Sequence, residues 1–286
     1  MRAPVRAVRG QWPSSWERRA PRLFRVDPRV LLEEEPTAED FRAAMSIIHV
    51  GETIKITDSD RHGAADALLL ENVALAGASI VDLGASDGST SVELVAKLPD
   101  FASYVIADLY LTLRSVEVGR YVLFFDADDN CVLVAGRRVL AWPTLSRTVR
   151  LLAAPLLARA RRRPSREVLL LGPEARRLMR SDARVTSRVH DVFQPWPAPA
   201  PDVIKVANVL RRLYFSDEEI LRALRALLAG LDDGGHLLVL DNPRLAGIAL
   251  RAGLYRREGG RFQPVAETPD APEIADLLRS AELALA

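Results

Sequence analysis

The chain reads as an α/β protein: a doubly wound, mostly parallel seven-stranded sheet with an antiparallel edge hairpin. Three observations carry that expectation. Short apolar runs alternate along the chain with segments of helical spacing. A glycine turn, Gly84-Ala85-Ser86-Asp87-Gly88, joins the apolar run Ser79 to Leu83 to the helical stretch Thr90 to Leu98. Two strand-like runs flank Gly259-Gly260, which is a hairpin signature.

The elements follow in order. Residues 1–35 read as an arginine-rich arm, with Glu17 and Asp27 the only acids among the first thirty. Prolines at 4, 13, 21 and 28 interrupt any amphipathic period, so a targeting segment is the lesser reading. Trp12, Trp16 and Phe24 are candidates to pin the arm to the body or to a second subunit. Residues 36–78 read as a helical cap. Thr37 and Asp40 form a capping box for a helix that continues from Phe41 to Val50. Asp58-Ser59-Asp60 caps a second helix running through Val73 and ending near Gly77.

Residues 79–286 read as the core. Strands are expected at Ser79 to Leu83, Tyr104 to Ala107, Arg184 to Val189, Val203 to Val206 and His236 to Leu240. Asp217 to Leu231 is an amphipathic helix capped by Ser216 and stopped by Gly234-Gly235. The segment at about 110–165 is longer than a minimal unit of this kind needs. Within it, Tyr121 to Phe125 and Cys131 to Ala135 read as a hairpin. Leu145 to Arg163 reads as a basic amphipathic helix, with Leu151, Leu152, Leu156 and Leu157 on or near one face and a kink at Pro155. Three roles stay open for this insertion: a lid or homodimer contact, a surface for a lipophilic substrate, or peripheral membrane contact.

Composition narrows the function classes. A net charge of +1 argues against nucleic acid as a bulk partner. Cys131 is the single cysteine, which excludes an internal disulfide and a cysteine-based zinc cluster and suits a reducing, cytoplasmic compartment. No run of eighteen apolar residues is present. No two-histidine metal arrangement occurs, so no metal site is expected. The glycine turn lacks both G-x-G-x-x-G and Gly-Lys-Ser/Thr, so neither a dinucleotide nor a phosphate is its natural guest.

In an open α/β sheet, ligands bind beyond the carboxyl ends of the strands. Polar groups fall there at Asp82 with Gly84, at Asp108, at Asp191 and at Asn208. With that constellation the chain resembles the class I S-adenosylmethionine-dependent methyltransferases, over about residues 75–110 and 184–265. The resemblance implies a Rossmann-like methyltransferase fold with S-adenosylmethionine as cofactor. It implies that Asp82, Gly84, Ala85, Ser86 and Gly88 meet the methionine part, and that Asp108, with Leu109 beside it, holds the ribose. Asp191 would meet the adenine amino group, with Val192 and Phe193 as ring neighbours, and Asn208 would lie beside the sulfonium. Ser86 stands where many members carry glycine, a change that a negative φ would accommodate. In this topology the insertion would emerge beside the ribose and cover the active site.

His62, Tyr110 and Tyr214 are the candidate catalytic groups for proton transfer. The resulting expectation is metal-independent O-methylation of a small molecule, with a carboxylic or acyl acceptor in view. A methyltransferase-like binding or regulatory protein without catalysis, and a protein or RNA methyltransferase, are the alternatives.

Overall fold

The computed structural model describes residues 3–50, 53–54, 62–242 and 249–280. The chain divides into two compact units, 1–57 with 110–174 and 58–109 with 175–286.

The unit formed by 58–109 and 175–286 carries the doubly wound sheet. Its strands are β1 (Ser79–Leu83), β2 (Ser103–Asp108), β3 (Val185–Val189), β4 (Val203–Ala207), β5 (His236–Asp241), β6 (Arg251–Glu258) and β7 (Arg261–Glu267). They lie in the order β3-β2-β1-β4-β5-β6-β7. The first five are parallel; β6 pairs antiparallel with β5, and β7 antiparallel with β6. The expected sheet and its edge hairpin are therefore present. Gly259 and Gly260 turn the hairpin with φ of 53° and 80°, a conformation open to glycine without steric cost. β4 is buried along its whole length, as a strand covered on both faces must be. Val81, Leu83, Ile204 and Val206 pack on one face against Ile220, Leu224 and Leu227 of helix Asp217–Ala229. Ser216 and Glu219 form a full capping box at the start of that helix.

The unit formed by 1–57 and 110–174 is a second seven-stranded sheet, almost wholly antiparallel. The hairpin of Tyr121–Phe125 and Cys131–Ala135 forms as expected, and it sits at the centre of a larger meander. Thr112–Val118 and Arg166–Leu169 extend the sheet on one side. Val139–Ala141 extends it on the other and pairs with Val5–Val8. The arginine-rich stretch is thus built into a sheet through Val139–Ala141, far along the chain, a pairing that no local periodicity can show. Phe24 and Leu31 are buried, and Trp12 stacks on Trp16 and donates its Nε1–H to the Arg138 carbonyl at 2.9 Å. Side chains alternate across this sheet. Val122 and Phe124 face Phe41, Met45 and Ile48, whereas Leu123 and Phe125 face the helix Arg147–Ala160.

Several boundaries differ from the sequence reading. The helix opened by Thr37 covers Ala38–Met45 and does not reach Val50; His49–Val50 is a strand. The cap expected at Asp58-Ser59-Asp60 lies outside the described residues, and the helix after it covers Gly63–Asn72. The helix Arg147–Ala160 keeps Pro155 within its span, and its packed face takes in only Leu156 and Leu157 of the expected leucine row. Ala153, Leu156, Leu157 and Ala160 meet the sheet, while Leu151 and Leu152 are 74% and 77% exposed. Small residues let the helix sit close, so its larger leucines at 151 and 152 fall outside the contact.

Candidate functional site

The reversal point of the parallel sheet lies between β1 and β4, where an open sheet leaves a crevice at its carboxyl edge. The segment that leaves β1 there is held by backbone bonds. The Gly84 and Ala85 N–H groups both donate to the Ala107 carbonyl, at 2.8 and 3.1 Å, folding the turn back over β2. Gly88 N–H donates to Ala85 O at 2.9 Å. Gly84, Ser86 and Gly88 alternate in the left-handed region, with φ of 76°, 58° and 76°. Such alternation folds the loop tightly on itself, and the N–H groups of 84, 85, 86 and 88 all find acceptors within the protein. A Cβ on Gly84 would overlap Val209 Cγ2, so glycine is required where this loop meets the segment leaving β4.

Ser86 does not have the negative φ that its substitution for glycine called for. Its N–H donates to Asp108 Oδ2 at 2.9 Å, and the turn geometry that aims this donor is left-handed. Asp108, expected at the ribose, is only 8% exposed at the tip of β2, where its Oδ2 accepts from the turn. Leu109, next along, is exposed.

Asp82 is placed differently from its assigned neighbours. It is fully buried under the loop, where its Oδ2 accepts from Ser91 Oγ at 2.8 Å and Tyr104 OH at 2.9 Å. Lys205 Nζ lies 3.9 Å from the same oxygen and 3.1 Å from Asp66 Oδ1. Burial, and then the Asp82 charge, hold the Tyr104 phenol well above its usual range, so it stays a donor. Asp82 therefore fastens β1 to the helix Ser89–Val95 through Ser91 and to the neighbouring strand β2 through Tyr104.

Asp191 and Asn208 both spend side-chain capacity on the backbone. Asp191 Oδ1 accepts from Phe193 N–H at 3.0 Å, closing a turn. Asn208, at φ 60°, accepts from Asn242 N–H through Oδ1 at 2.7 Å and donates its own N–H to Leu240 O. That pair of bonds locks the ends of β4 and β5 together at the crevice. Val192 is buried, and the Phe193 ring meets Phe215 edge-on at 5.3 Å under the Arg222 guanidinium. His190 is held by Gln194 O at 3.1 Å and by the Trp196 ring, and burial lowers its pKa.

The three candidate bases are scattered. His62 is buried at the start of helix Gly63–Asn72, Tyr214 is 41% exposed beyond β4, and Tyr110 packs within the core of the other unit. Two residues gain a role that sequence reasoning missed. Asp87 is buried and closes an Asx-turn leading into the helix Ser89–Val95 by accepting from Ser89 N–H at 3.1 Å and Ser89 Oγ at 2.9 Å. Asp87-Gly-Ser is an Asx-turn signal, and reading it as such would have found this role. Asp241, buried at the tip of β5, accepts from Glu273 N–H at 2.7 Å, and burial raises its carboxyl pKa. Nothing local marks Asp241, since Glu273 reaches it from 32 residues away. Among the described residues, no three His, Cys, Asp or Glu side chains gather as a metal site, and no helix is long and apolar enough to cross a membrane.

Parallel β1 to β5, the reversal between β1 and β4, the left-handed glycine turn and the acid at the tip of β2 define the class. It is a mixed α/β, Rossmann-like doubly wound sheet, carried by the unit formed by 58–109 and 175–286. No protein-family profile matches it. Aclacinomycin 10-hydroxylase RdmB from Streptomyces purpurascens is 39% identical over 132 residues, covering 42% of this chain and 33% of that protein. The chain thus matches about a third of the length of this curated relative. Among solved structures it is similar to a Haemonchus contortus phosphoethanolamine N-methyltransferase, at 12% identity and a TM-score of 0.36, over 73% of this chain and 31% of that one. It is also similar to the O-methyltransferase NcsB1 of neocarzinostatin biosynthesis, at 16% identity and a TM-score of 0.33, over 62% of this chain and 35% of that one.

Proposed function

We propose that the unit formed by 58–109 and 175–286 binds S-adenosylmethionine at the crevice between β1 and β4, and that the protein is an enzyme acting on a small molecule, most simply an O-methyltransferase. One observation carries this reading. The Ser86 N–H bond to Asp108 Oδ2 sets the glycine turn beside an acid at the neighbouring strand tip, so that one sulfonium nucleoside could meet both. The glycine turn suits close approach of the methionine part to backbone, and a carboxylate at Asp108 suits ribose hydroxyls. Gly84, Ala85 and Gly88 would line the methionine side, while Asp191, Val192 and Phe193 would flank the adenine. Asp82 would act from beneath, by holding β1 in place.

When bound, the cofactor supplies an electrophilic methyl group. The chain's own task is to align the acceptor and exclude water, and orientation alone is worth up to roughly 7–11 kcal/mol in favourable cases. A carboxylate acceptor needs no base, whereas an alcohol or phenol must lose a proton, for which His62, Tyr110 and Tyr214 are the candidates. The hydroxylase name of the 39% identical relative favours a second reading, in which the same fold serves hydroxylation instead of methyl transfer.

Calorimetric titration with S-adenosylmethionine and S-adenosylhomocysteine tests the first step. Wild type should bind both, and Asp108→Ala should weaken binding by at least about tenfold, or 1.4 kcal/mol, with the circular dichroism spectrum retained. Absence of binding to either compound at millimolar concentration, or full affinity in Asp108→Ala, rejects the site. Release of S-adenosylhomocysteine in the presence of a methyl acceptor then separates methyl transfer from the hydroxylase reading.

A further inference from the structure

The unit formed by 1–57 and 110–174 holds a groove of its own, about 660 Å³ in volume, between the helix Arg147–Ala160 and the sheet. That volume is within the range of small-molecule sites, roughly 300–1,000 Å³. Its wall is aliphatic: Val134 from the sheet, and Val149, Leu152, Ala153 and Leu156 from the helix. Its rim is basic, with Arg120, Arg137 and Arg138 all exposed. Among the described residues none of these three guanidiniums is paired with a carboxylate. Arg120 leans over the Tyr121 ring at 5.5 Å and Arg138 over the Trp12 ring at 5.7 Å, so two of them are shelved on aromatic faces at the rim.

The charge around this rim is not local accident. The unit carries 21 Lys and Arg against 14 Asp and Glu, whereas the other carries 18 against 24. The near-zero net charge of the whole chain conceals a basic half. Gly136 contributes shape: a Cβ there would come within 3.1 Å of the Tyr121 ring and of Val139 O. Glycine therefore leaves room for the ring beside the backbone.

We propose that this groove binds a single amphiphilic anion, an acyl carboxylate whose tail lies along Val134, Val149, Leu152 and Leu156 and whose head group is held by Arg120, Arg137 and Arg138. An apolar trough alone would leave the occupant open, but three unpaired guanidiniums at its mouth select an anionic head. The planar fork of arginine matches a carboxylate in two parallel hydrogen bonds. The tail gains by leaving water, and the leucine left exposed at 152 is the group that gains most from being covered. This inference is independent of the cofactor reading, because every residue in it belongs to the other unit.

Calorimetry with decanoate below its micelle concentration, on the full chain, tests it. Decanoate should bind at least about tenfold more tightly than acetate and than uncharged decanol. The double variant Arg120→Gln/Arg138→Gln should lose affinity by about tenfold or more, with the loss reproduced in wild type at high salt. Leu152→Glu, at an exposed position, should weaken decanoate by a similar factor without lowering the melting temperature. S-adenosylhomocysteine binding in the same variants should equal that of wild type, so failure of one site is told from failure of the other. Decanoate binding no better than acetate, unchanged affinity in both variants, or binding to phosphatidylglycerol vesicles with none to monomeric decanoate would each overturn the proposal.

Discussion

Ser86 and Asn208 are left-handed positions of the crevice, and hydrogen bonds to neighbouring strand tips hold each of them there. A left-handed residue with a Cβ costs roughly 1–2 kcal/mol relative to its ordinary conformations, and asparagine bears that cost better than serine. Ser86→Gly should therefore be neutral or stabilise by up to about 1 kcal/mol, and Ser86→Val should destabilise by about 1–2 kcal/mol, read from urea denaturation midpoints. Equal stability of the valine variant would mean that the turn relaxes out of the left-handed region. The glycines at 84 and 88 were legible in the sequence as a turn. The sign of φ at Ser86 was not, because it is imposed by a donor aimed at Asp108 across 22 residues.

At the level of elements, the strand β4 carries a lysine with no exposed surface. Lys205 bonds Asp66 of helix Gly63–Asn72, which also receives Lys97 at 3.1 Å from beyond helix Ser89–Val95. Removing one member of a buried ion pair leaves an uncompensated charge and costs about 3–5 kcal/mol, more than the pair contributes over an apolar replacement. Lys205→Met should lose that amount in chemical denaturation, and the double variant Lys205→Met/Asp66→Leu should recover part of it. A single variant within about 1 kcal/mol of wild type would show that water reaches the site. Sequence reading took β4 as a plain apolar strand, and it placed Asp82 in the ligand site. Both residues face the same polar seam because strand registers put Lys205 opposite Asp82, which only the sheet can reveal.

For the whole molecule, two half-buried histidines contribute to the response to acid. Burial lowers the pKa of His190, with Arg188 adding to it, and of His236, with Arg256 adding to it; the Gln194 carbonyl and Asp191 oppose the first and Asp202 the second. A histidine whose folded pKa is depressed binds its proton less readily in the folded chain, so the unfolded chain is favoured as pH falls through about 6.5. The melting temperature should fall between pH 7.5 and 5.5, and His236→Gln should reduce the slope. Asp241 acts in the opposite sense at lower pH, because its raised pKa makes protonation easier in the folded state. A flat profile across that range would show that neither ring is desolvated. The charge division between the units adds a second whole-molecule trait, invisible in a net charge of +1.

The sequence alone determined the parallel strands, the glycine turn, the Ser216 capping box, the central hairpin of the insertion and the edge hairpin, because each is written within a dozen residues as periodicity, caps and turn chemistry. Tertiary structure decided the rest. It joined Val5–Val8 to Val139–Ala141 and so made one sheet of an apparent arm and an apparent insertion. It sank Asp82 beneath the turn, bound Asp108 to Ser86, and set Leu152 over a groove with three arginines at its mouth. Those outcomes depend on contacts between residues far apart in the chain, and their energies belong to pairs that no local pattern records.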